Sequence, residues 1–219
     1  WSRGLGDVYK RQLSISASIP LPNSIDRSAL ISVRILREAS STAILPSQFE
    51  NCTNLVTVEI PDTIRSIGAS AFKNCSKLQA SINSTGLNLP ESITSIGNSA
   101  FSGCSALTTV ALPSKLQSIS VAVFQNCKSL RNSLGSVGLN LPPTLASVGD
   151  DAFSGCSSLA VATLPPSLQS IGSSAFLGCA VKTLTIPKSV KSIGASAFKN
   201  CSVLGSGGQL TDVVIPSSV

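Results

Sequence analysis

The sequence is short of the residues that most enzymes need. It contains no histidine and only ten acidic residues in 219. Ser–His–Asp and Cys–His catalysis therefore lie outside its chemistry, as does most metal-assisted hydrolysis. Its one adjacent acidic pair, Asp150 and Asp151, follows Gly149 in a turn, where Asp is typical because its side chain hydrogen-bonds to nearby backbone. No glycine-rich phosphate loop is present either, so we predict a protein that is not an enzyme and that needs no cofactor.

Aromatic and charged residues are also scarce, at 4% and 12% of the chain. The formal net charge is +6, but a nucleic-acid surface concentrates its basic residues on one face and adds aromatics for stacking. Here the basic residues are spread along the chain, and we interpret the densest set as solvated surface: Lys182, Lys188, Lys191 and Lys199. No apolar run approaches the ~20 residues of a membrane span. We therefore predict no nucleic-acid partner and no membrane span.

A repeat of phenylalanine and cysteine is what the sequence does contain. All seven Phe and all seven Cys belong to one motif, in which the Cys follows the Phe by three residues. Successive Cys are 23, 29, 23, 29, 23 and 22 residues apart, so short and long repeats alternate. The pairs are Phe49 with Cys52, Phe72 with Cys75, Phe101 with Cys104, Phe124 with Cys127, Phe153 with Cys156, Phe176 with Cys179 and Phe198 with Cys201. Self-similarity at such a period predicts a solenoid.

The cysteines are predicted to be buried and free. Their odd number argues against a complete disulfide framework. Every Cys occupies the same inward position, so that successive side chains point the same way, which is a poor geometry for bridging. Zinc is disfavoured because the chain has no Cys-x-x-Cys pair and no His. We predict seven thiols that act as small apolar side chains.

Two strand-like runs precede the Phe of each repeat. The first alternates apolar and polar residues and ends at a Pro, as in residues 55–61. The second is short, as in residues 64–67, and its Ser recurs in every complete repeat; we expect these hydroxyls to bond along the ladder rather than to act as nucleophiles. Gly68 then indicates a turn with a positive φ. Leu45 and Ser120 replace this Gly, so their turns are predicted to avoid a positive φ or to be strained.

The repeat divides the chain into three parts. Residues 1–12 do not fit it and read like a translated sequencing adapter or an ordinary disordered terminus. Residues 13–43 are a degenerate lead-in, within which residues 32–40 have no clear counterpart. Residues 44–219 carry the repeats and stop short at the C-terminal end. The long repeats insert six residues between the Cys and the Pro, in residues 76–89, 128–141 and 202–215, and we expect these insertions to form loops along one edge.

This order of residues resembles the BspA-type leucine-rich repeat. A Leu follows the Cys by three residues, a strand ends in Ile-Pro or Leu-Pro, and Ser-Ile-Gly precedes Ala-Phe-x-x-Cys. The resemblance covers about residues 44–219 and implies a β-rich repeat solenoid, a right-handed leucine-rich-repeat-like superhelix with a curved parallel β-sheet and about seven rungs of alternating 23 and 29 residues. It also implies a role in adhesion or protein recognition. The 29-residue rungs are longer than the usual unit, and Val123 stands where the family has Ala.

Three functions are open at this stage. The favoured one is a non-enzymatic scaffold for recognition of a protein or glycan, with a role in adhesion. The alternatives are a structural surface coat without a specific ligand and an ice-binding solenoid, although an ice-binding face needs a more uniform Thr array than this chain has. Nothing in the sequence determines the location, and the resemblance favours a cell-surface or secreted one. Four Asn match the glycosylation acceptor pattern, but three of them restate the Asn-Cys-Ser/Thr of the repeat, so we expect coincidence.

The predicted partner-binding positions lie two and four residues before each Pro. They should point away from the core, and they vary between repeats while the core positions do not. A fixed scaffold with a variable outer face is what a recognition surface requires. The binding residues predicted in this way are Thr57, Glu59, Asn88, Thr109, Asn140, Thr163, Thr183 and Thr185, and the same positions in other repeats hold Gly86, Ala111, Gly138 and Val161.

Overall fold

The chain winds into a parallel solenoid in which every coil has three sides. The structure, a computed structural model, describes residues 12–133, 135–181, 184–201, 213–214, 217 and 219. In each coil the run before the Pro contributes to a first sheet, the Ser-Ile run contributes to a second sheet, and the Phe-Cys segment closes the coil. The strand pairings within the described residues are parallel. The predicted β-rich repeat solenoid is confirmed.

The strands are short because each side of a coil spans only a few residues. The first sheet contains β1 Gln12–Ile15, β2 Ser32–Ile35, β4 Thr57–Glu59, β6 Ala80–Ser81, β7 Leu87–Asn88, β9 Thr109–Ala111, β11 Asn132–Ser133, β12 Leu139–Asn140, β14 Ala162–Thr163, β16 Leu184–Thr185 and β18 Val213–Val214. The second sheet contains β3 Ala43–Ile44, β5 Ser66–Ile67, β8 Ser95–Ile96, β10 Ser118–Ile119, β13 Ser147–Val148, β15 Ser170–Ile171 and β17 Ser192–Ile193. A 3-10 turn covers Arg27–Ala29. Within the described residues the second sheet has seven strands, as many as the predicted rungs.

The lead-in takes part in the first sheet. Strand β2 pairs with β4 in register, which places Arg34 opposite Glu59, and β1 pairs with β2 on its other side. The expectation that residues 32–40 have no counterpart in the repeat is therefore wrong, because the alternation of Val33 and Ile35 buries one face of the strand as the later repeats do. Of the segment 1–12, only Gln12 lies within the described residues, at the start of β1, and residues 1–11 lie outside them.

Stacked phenylalanines form the centre of the core. The rings of Phe49 to Phe198 are stacked from coil to coil with centroids 5.2–5.6 Å apart, and all except Phe198 are fully buried. Beside this column the thiol of each Cys from the second coil onwards donates to the Phe carbonyl of the preceding coil, as Cys127 does to Phe101 at 3.2 Å. All seven Cys are buried and free, as predicted.

The Phe-Cys segments form a third hydrogen-bonded side, which the sequence analysis did not predict. The N–H of Phe49 donates to the carbonyl of Ala71 in the next coil at 2.8 Å, and Phe72 donates to Ala100 in the same way. Two residues of each segment have a positive φ: the one two before the Phe, and the one immediately before the Cys. The second of these is always Asn or Gly, the residues that tolerate this conformation best. The positive φ therefore explains why Asn occurs in the repeated Asn-Cys-Ser/Thr.

The repeat glycines permit close approach between coils, and the predicted positive φ at Gly68 is wrong. A Cβ at Gly68 would lie 2.5 Å from the backbone nitrogen of Pro46, and a Cβ at Gly97 would lie 2.5 Å from that of Ala69. The positive φ falls two residues later, at Ser70 and its equivalents in all seven coils. Leu45 consequently needs no unusual φ.

Ser120 shows what happens where this glycine is replaced. The N–H of Gly97 donates to the carbonyl of Ile67 at 2.8 Å, and the other repeat glycines make the same bond. At Ser120 the side-chain Oγ donates to the carbonyl of Ile96 at 2.6 Å instead. Because the Cβ keeps the two backbones apart, the second sheet divides between β8 and β10.

The serines of the second sheet do not form the predicted hydroxyl ladder. Among the described residues, no hydrogen bond joins the hydroxyls of Ser66, Ser95 and their equivalents, which are half-buried or exposed to water. Hydroxyl bonds between coils occur instead just after the Pro, where Ser92 donates to the carbonyl of Ile64 at 2.6 Å and Ser167 to that of Leu145 at 2.7 Å. The backbone itself holds the second sheet together.

Arg27 covers the start of the third side. Its guanidinium donates to the carbonyls of Gln48 at 2.8 Å and Glu50 at 3.3 Å. In the next coil the equivalent residues are Ala71 and Lys73. Their carbonyls accept N–H groups from the preceding Phe-Cys segment. One arginine thus supplies the donors that a preceding Phe-Cys segment would otherwise contribute.

Candidate functional site

The outer face of the first sheet holds the predicted binding residues. Asn88, Asn140, Thr163 and Thr185 are exposed, whereas Thr57, Glu59 and Thr109 are half-buried. The inward residues between them, such as Val58 and Val110, are fully buried. Thr183 lies outside the described residues. The described members of the predicted set therefore share one face, which carries hydroxyl, amide and carboxylate groups.

The first two insertions interrupt this face rather than extend its edge, and most of the third, residues 202–215, lies outside the described residues. In the first long coil, β6 pairs backwards with β4, and β7 pairs forwards with β9. Between the two strands Ser81 closes the loop, because its Oγ accepts the N–H of Asn88 at 2.8 Å. Ser133 and Asn140 make the same bond, also at 2.8 Å, in the second long coil. Each loop thus fixes the backbone beneath one exposed Asn.

Two of the outer positions are covered by their neighbours. Gly86 and Gly138 are buried, since Gly86 packs under Thr109 and Gly138 under Val161. A Cβ at Gly138 would lie 2.8 Å from the Cβ of Val161. The expectation that these two glycines belong to the outward surface is therefore wrong, because a side chain of the following coil covers each of them.

A groove of about 620 Å³ lies at the N-terminal part of the face, between β2, β4 and the first insertion loop. We call it the charged groove, and its polar residues are Arg34, Arg37, Glu59, Asp62, Ser81 and Asn88, with Ile82 of the loop also lining it. The guanidinium of Arg34 lies 2.6 Å from Glu59, and that of Arg37 lies 2.9 Å from Asp62. All four charged side chains are between 46% and 71% exposed.

Sequence reasoning found part of this groove and missed the rest. Glu59 and Asn88 were predicted, but Arg34, Arg37 and Asp62 were not, because two of them lie in the degenerate lead-in and the third lies after the Pro. A usable signal was present, since both Arg residues precede their carboxylate partners by 25 residues. Opposite charges at one coil spacing indicate neighbours across a parallel ladder.

Hydrogen bonding lowers the pKa of one carboxyl group beside the groove. Glu91 accepts bonds from the Oγ of Ser114 at 2.7 Å and from its N–H at 2.9 Å. The side-chain and backbone bonds from Ser114 lower the pKa of Glu91. The adjacent Asp150 and Asp151 have different environments. Asp150 accepts the N–H of Ser173 in the next coil at 2.6 Å, and Asp151 occupies a positive-φ position.

The described residues contain no group of three or more His, Cys, Asp or Glu side chains placed to hold a metal ion. Nor does any described segment form a helix with the length and apolarity needed to cross a membrane. The described residues instead form a repeat-built face that includes the charged groove. Such a molecule belongs to the class of leucine-rich repeat solenoids.

The chain belongs to the BspA-type leucine-rich repeat family. The family model, a BspA-type leucine-rich repeat region, matches in six copies over residues 23–133 and 133–219. No curated protein matches the chain.

Three solved structures show the same fold. A leucine-rich cell surface protein from Faecalibacterium prausnitzii A2-165 is 32% identical with a TM-score of 0.65, over 87% of this chain and 45% of that protein. The leucine-rich repeat protein of T. pallidum is 26% identical with a TM-score of 0.66, over 82% of this chain and 86% of that one. A leucine-rich repeat protein from Bacteroides ovatus ATCC 8483 is 23% identical with a TM-score of 0.62, over 84% and 53%. The chain thus spans less than half of the Faecalibacterium protein.

Proposed function

We propose that this protein is a non-catalytic recognition scaffold that binds a partner protein or glycan on the outer face of its first sheet. One observation carries the proposal: the inward residues are buried and apolar in every described coil, while the outward residues differ in size, polarity and charge. Val58 and Val110 are equivalent and fully buried, whereas their outward neighbours are Glu59 and Ala111. Variation on an invariant scaffold is how repeat proteins produce specific surfaces.

The register of the first sheet favours recognition over ice binding. A flat ice-binding array needs like residues opposite one another. In the described ladder Thr57 lies opposite Ala80, Thr109 opposite Asn132 and Thr163 opposite Asn140. The Thr side chains therefore do not form a continuous row, and a charged groove stands beside them. A surface coat without a ligand is the remaining alternative, and the experiment below distinguishes it.

The test compares two triple variants with the same added charge. The face variant carries Asn88→Arg, Asn140→Arg and Thr163→Arg, and the control variant carries Ser95→Arg, Ser118→Arg and Ser192→Arg on the second sheet, where all three Ser are exposed. Affinity for a partner isolated by crosslinking is measured for both. We expect the face variant to lose at least 100-fold in affinity and the control to keep it. Failure to crosslink any partner would favour the surface coat, and equal affinity in both variants would contradict a site on this face.

The location follows as part of the same proposal. The Faecalibacterium relative is described as a cell surface protein, and adhesion or recognition at a surface is the setting in which an outward-facing scaffold is useful. We expect the native protein in the surface or secreted fraction of its cells. Fractionation with an antibody against the solenoid tests this, and recovery in the cytosolic fraction alone would contradict it.

A further inference from the structure

We infer that the charged groove binds an extended protein segment that carries acidic and basic side chains close together. The inference rests on the proposed function and names its site and the chemistry of its partner. The first long coil contributes to the groove at both ends of its insertion, with Ile82 just after β6 and Asn88 in β7, beside residues of β2 and β4.

The charges of the groove are arranged in two rows. Arg34 and Arg37 lie on one coil, and Glu59 and Asp62 lie on the next. Neighbouring parallel strands are about 4.8 Å apart. A partner that lies along the strands therefore meets a positive row and a negative row side by side.

This pattern selects the class of partner. Most charged glycans are polyanions, and a polyanionic glycan that approached Arg34 and Arg37 would also meet Glu59 and Asp62. Polypeptides carry both signs along one chain, and the two rows fit a segment in which carboxylates and ammonium or guanidinium groups are neighbours. The side chains at the groove are too exposed to enclose a small molecule, which normally loses most of its surface to a pocket.

The two ion pairs do not oppose binding. Exposed ion pairs contribute little to stability because water and salt screen them. Arg34 and Arg37 can therefore change from their own carboxylates to those of a partner at small cost, and the planar guanidinium binds a carboxylate through two parallel hydrogen bonds. The released Glu59 and Asp62 then face the partner's basic groups. Binding therefore replaces the ion pairs within the groove with equivalent ion pairs to the partner.

The test exchanges the charges of the groove and keeps both ion pairs. The reversed variant carries Arg34→Glu with Glu59→Arg and Arg37→Asp with Asp62→Arg, which keeps both ion pairs and the net charge. A display library of random 12-residue peptides is selected on the native protein, and the enriched peptides are measured against both proteins. We expect the enriched peptides to carry neighbouring acidic and basic residues. They should bind the reversed variant at least tenfold more weakly than the native protein, and they should bind the native protein more weakly in high salt.

Two results would overturn the inference. One is that no peptide is enriched, or that the enriched peptides bind both proteins equally. The other is that the crosslinked partner binds the reversed variant as tightly as the native protein. If the reversal has no effect while the Asn88, Asn140 and Thr163 variant loses binding, the groove assignment fails and the proposed function stands. Equal thermal unfolding temperatures of the native and reversed proteins establish that both are folded.

Discussion

At the scale of single residues, Phe and Cys have unequal roles although both are buried in every coil. The ring of Phe124 stacks between Phe101 at 5.6 Å and Phe153 at 5.5 Å. We expect Phe124→Ala to lower the free energy of unfolding by about 3–5 kcal/mol, as truncation of a buried aromatic usually does. Cys127→Ala removes one atom and a weak S–H donor, and we expect a loss of about 1 kcal/mol. Chemical denaturation measures both, with Val121→Ala as an exposed control, and a larger loss for Cys127→Ala would contradict the packing argument.

Gly97 and Ser120 test why the repeat needs glycine. Gly97→Ala places a Cβ 2.5 Å from the backbone of Ala69, so we expect a loss of about 1–3 kcal/mol from the forced displacement. At Ser120 the order of substitutions should be unusual. Ser120→Ala loses the bond to Ile96 and keeps the obstructing Cβ, whereas Ser120→Gly allows the N–H to reach the same carbonyl. We expect Ser120→Ala to be the less stable of the two, and the reverse order in thermal unfolding would refute the close-approach explanation.

At the scale of the structural element, the first Phe-Cys segment depends on a residue outside the repeat. Arg27 is half-buried and bonds to the carbonyls of Gln48 and Glu50. Bonds from a charged donor are stronger than neutral ones, so we expect Arg27→Ala to cost roughly 2 kcal/mol. Arg27→Lys should recover only part of this, since an ammonium group lacks the fork geometry. Denaturant unfolding measures these losses. Arg65→Ala, at an exposed position, is the control, and an equal loss there would remove the capping role from Arg27.

The insertion loops change the shape of the outer face and leave the buried core unchanged. Each of the two described loops divides one strand into a part that pairs backwards and a part that pairs forwards, as β11 does with β9 and β12 with β14. The core side of the coil keeps its register, because a shift by one residue would expose every buried side chain. Alternating long and short coils therefore vary the outer face without altering the Phe column.

At the scale of the whole molecule, the buried thiols make stability depend on pH. Burial raises the pKa of Cys104, Cys127 and Cys156 above the ordinary value of 9.0, and it raises the pKa of Cys201 to about 11. The folded state then holds these protons more tightly than the unfolded state does. Their contribution is fully present below about pH 9 and is lost as the pH rises through the folded pKa values.

We expect the unfolding temperature to be constant between about pH 7 and 8 and to fall above about pH 9. Other groups also titrate in alkali, so the difference from a Cys104→Ala and Cys127→Ala double variant isolates the thiols. The double variant should lose less stability between pH 8 and 10 than the native protein does. Parallel curves for the two proteins would show that these thiols do not contribute to the pH dependence.

The sequence by itself determined the solenoid, its period and its buried column. Phe and Cys at a constant offset could only serve a repeated interior position, so the count of strands in the second sheet and the free, buried thiols could be predicted. The outward positions of the first sheet could also be predicted, except for Gly86 and Gly138, because strand periodicity decides which side chains share a face. The resemblance of these same residues to the BspA-type repeat was confirmed by the family match.

Only the tertiary structure decided how the coils contact one another. The role of Gly68, the break at Ser120, the capping by Arg27 and the pairing of Arg34 with Glu59 all depend on which backbone atoms lie beside each other in successive coils. These neighbours are 21 to 25 residues apart in sequence. A one-dimensional pattern shows that such positions are equivalent, but it does not contain the separation of a few ångströms at which a Cβ is excluded or an ion pair forms.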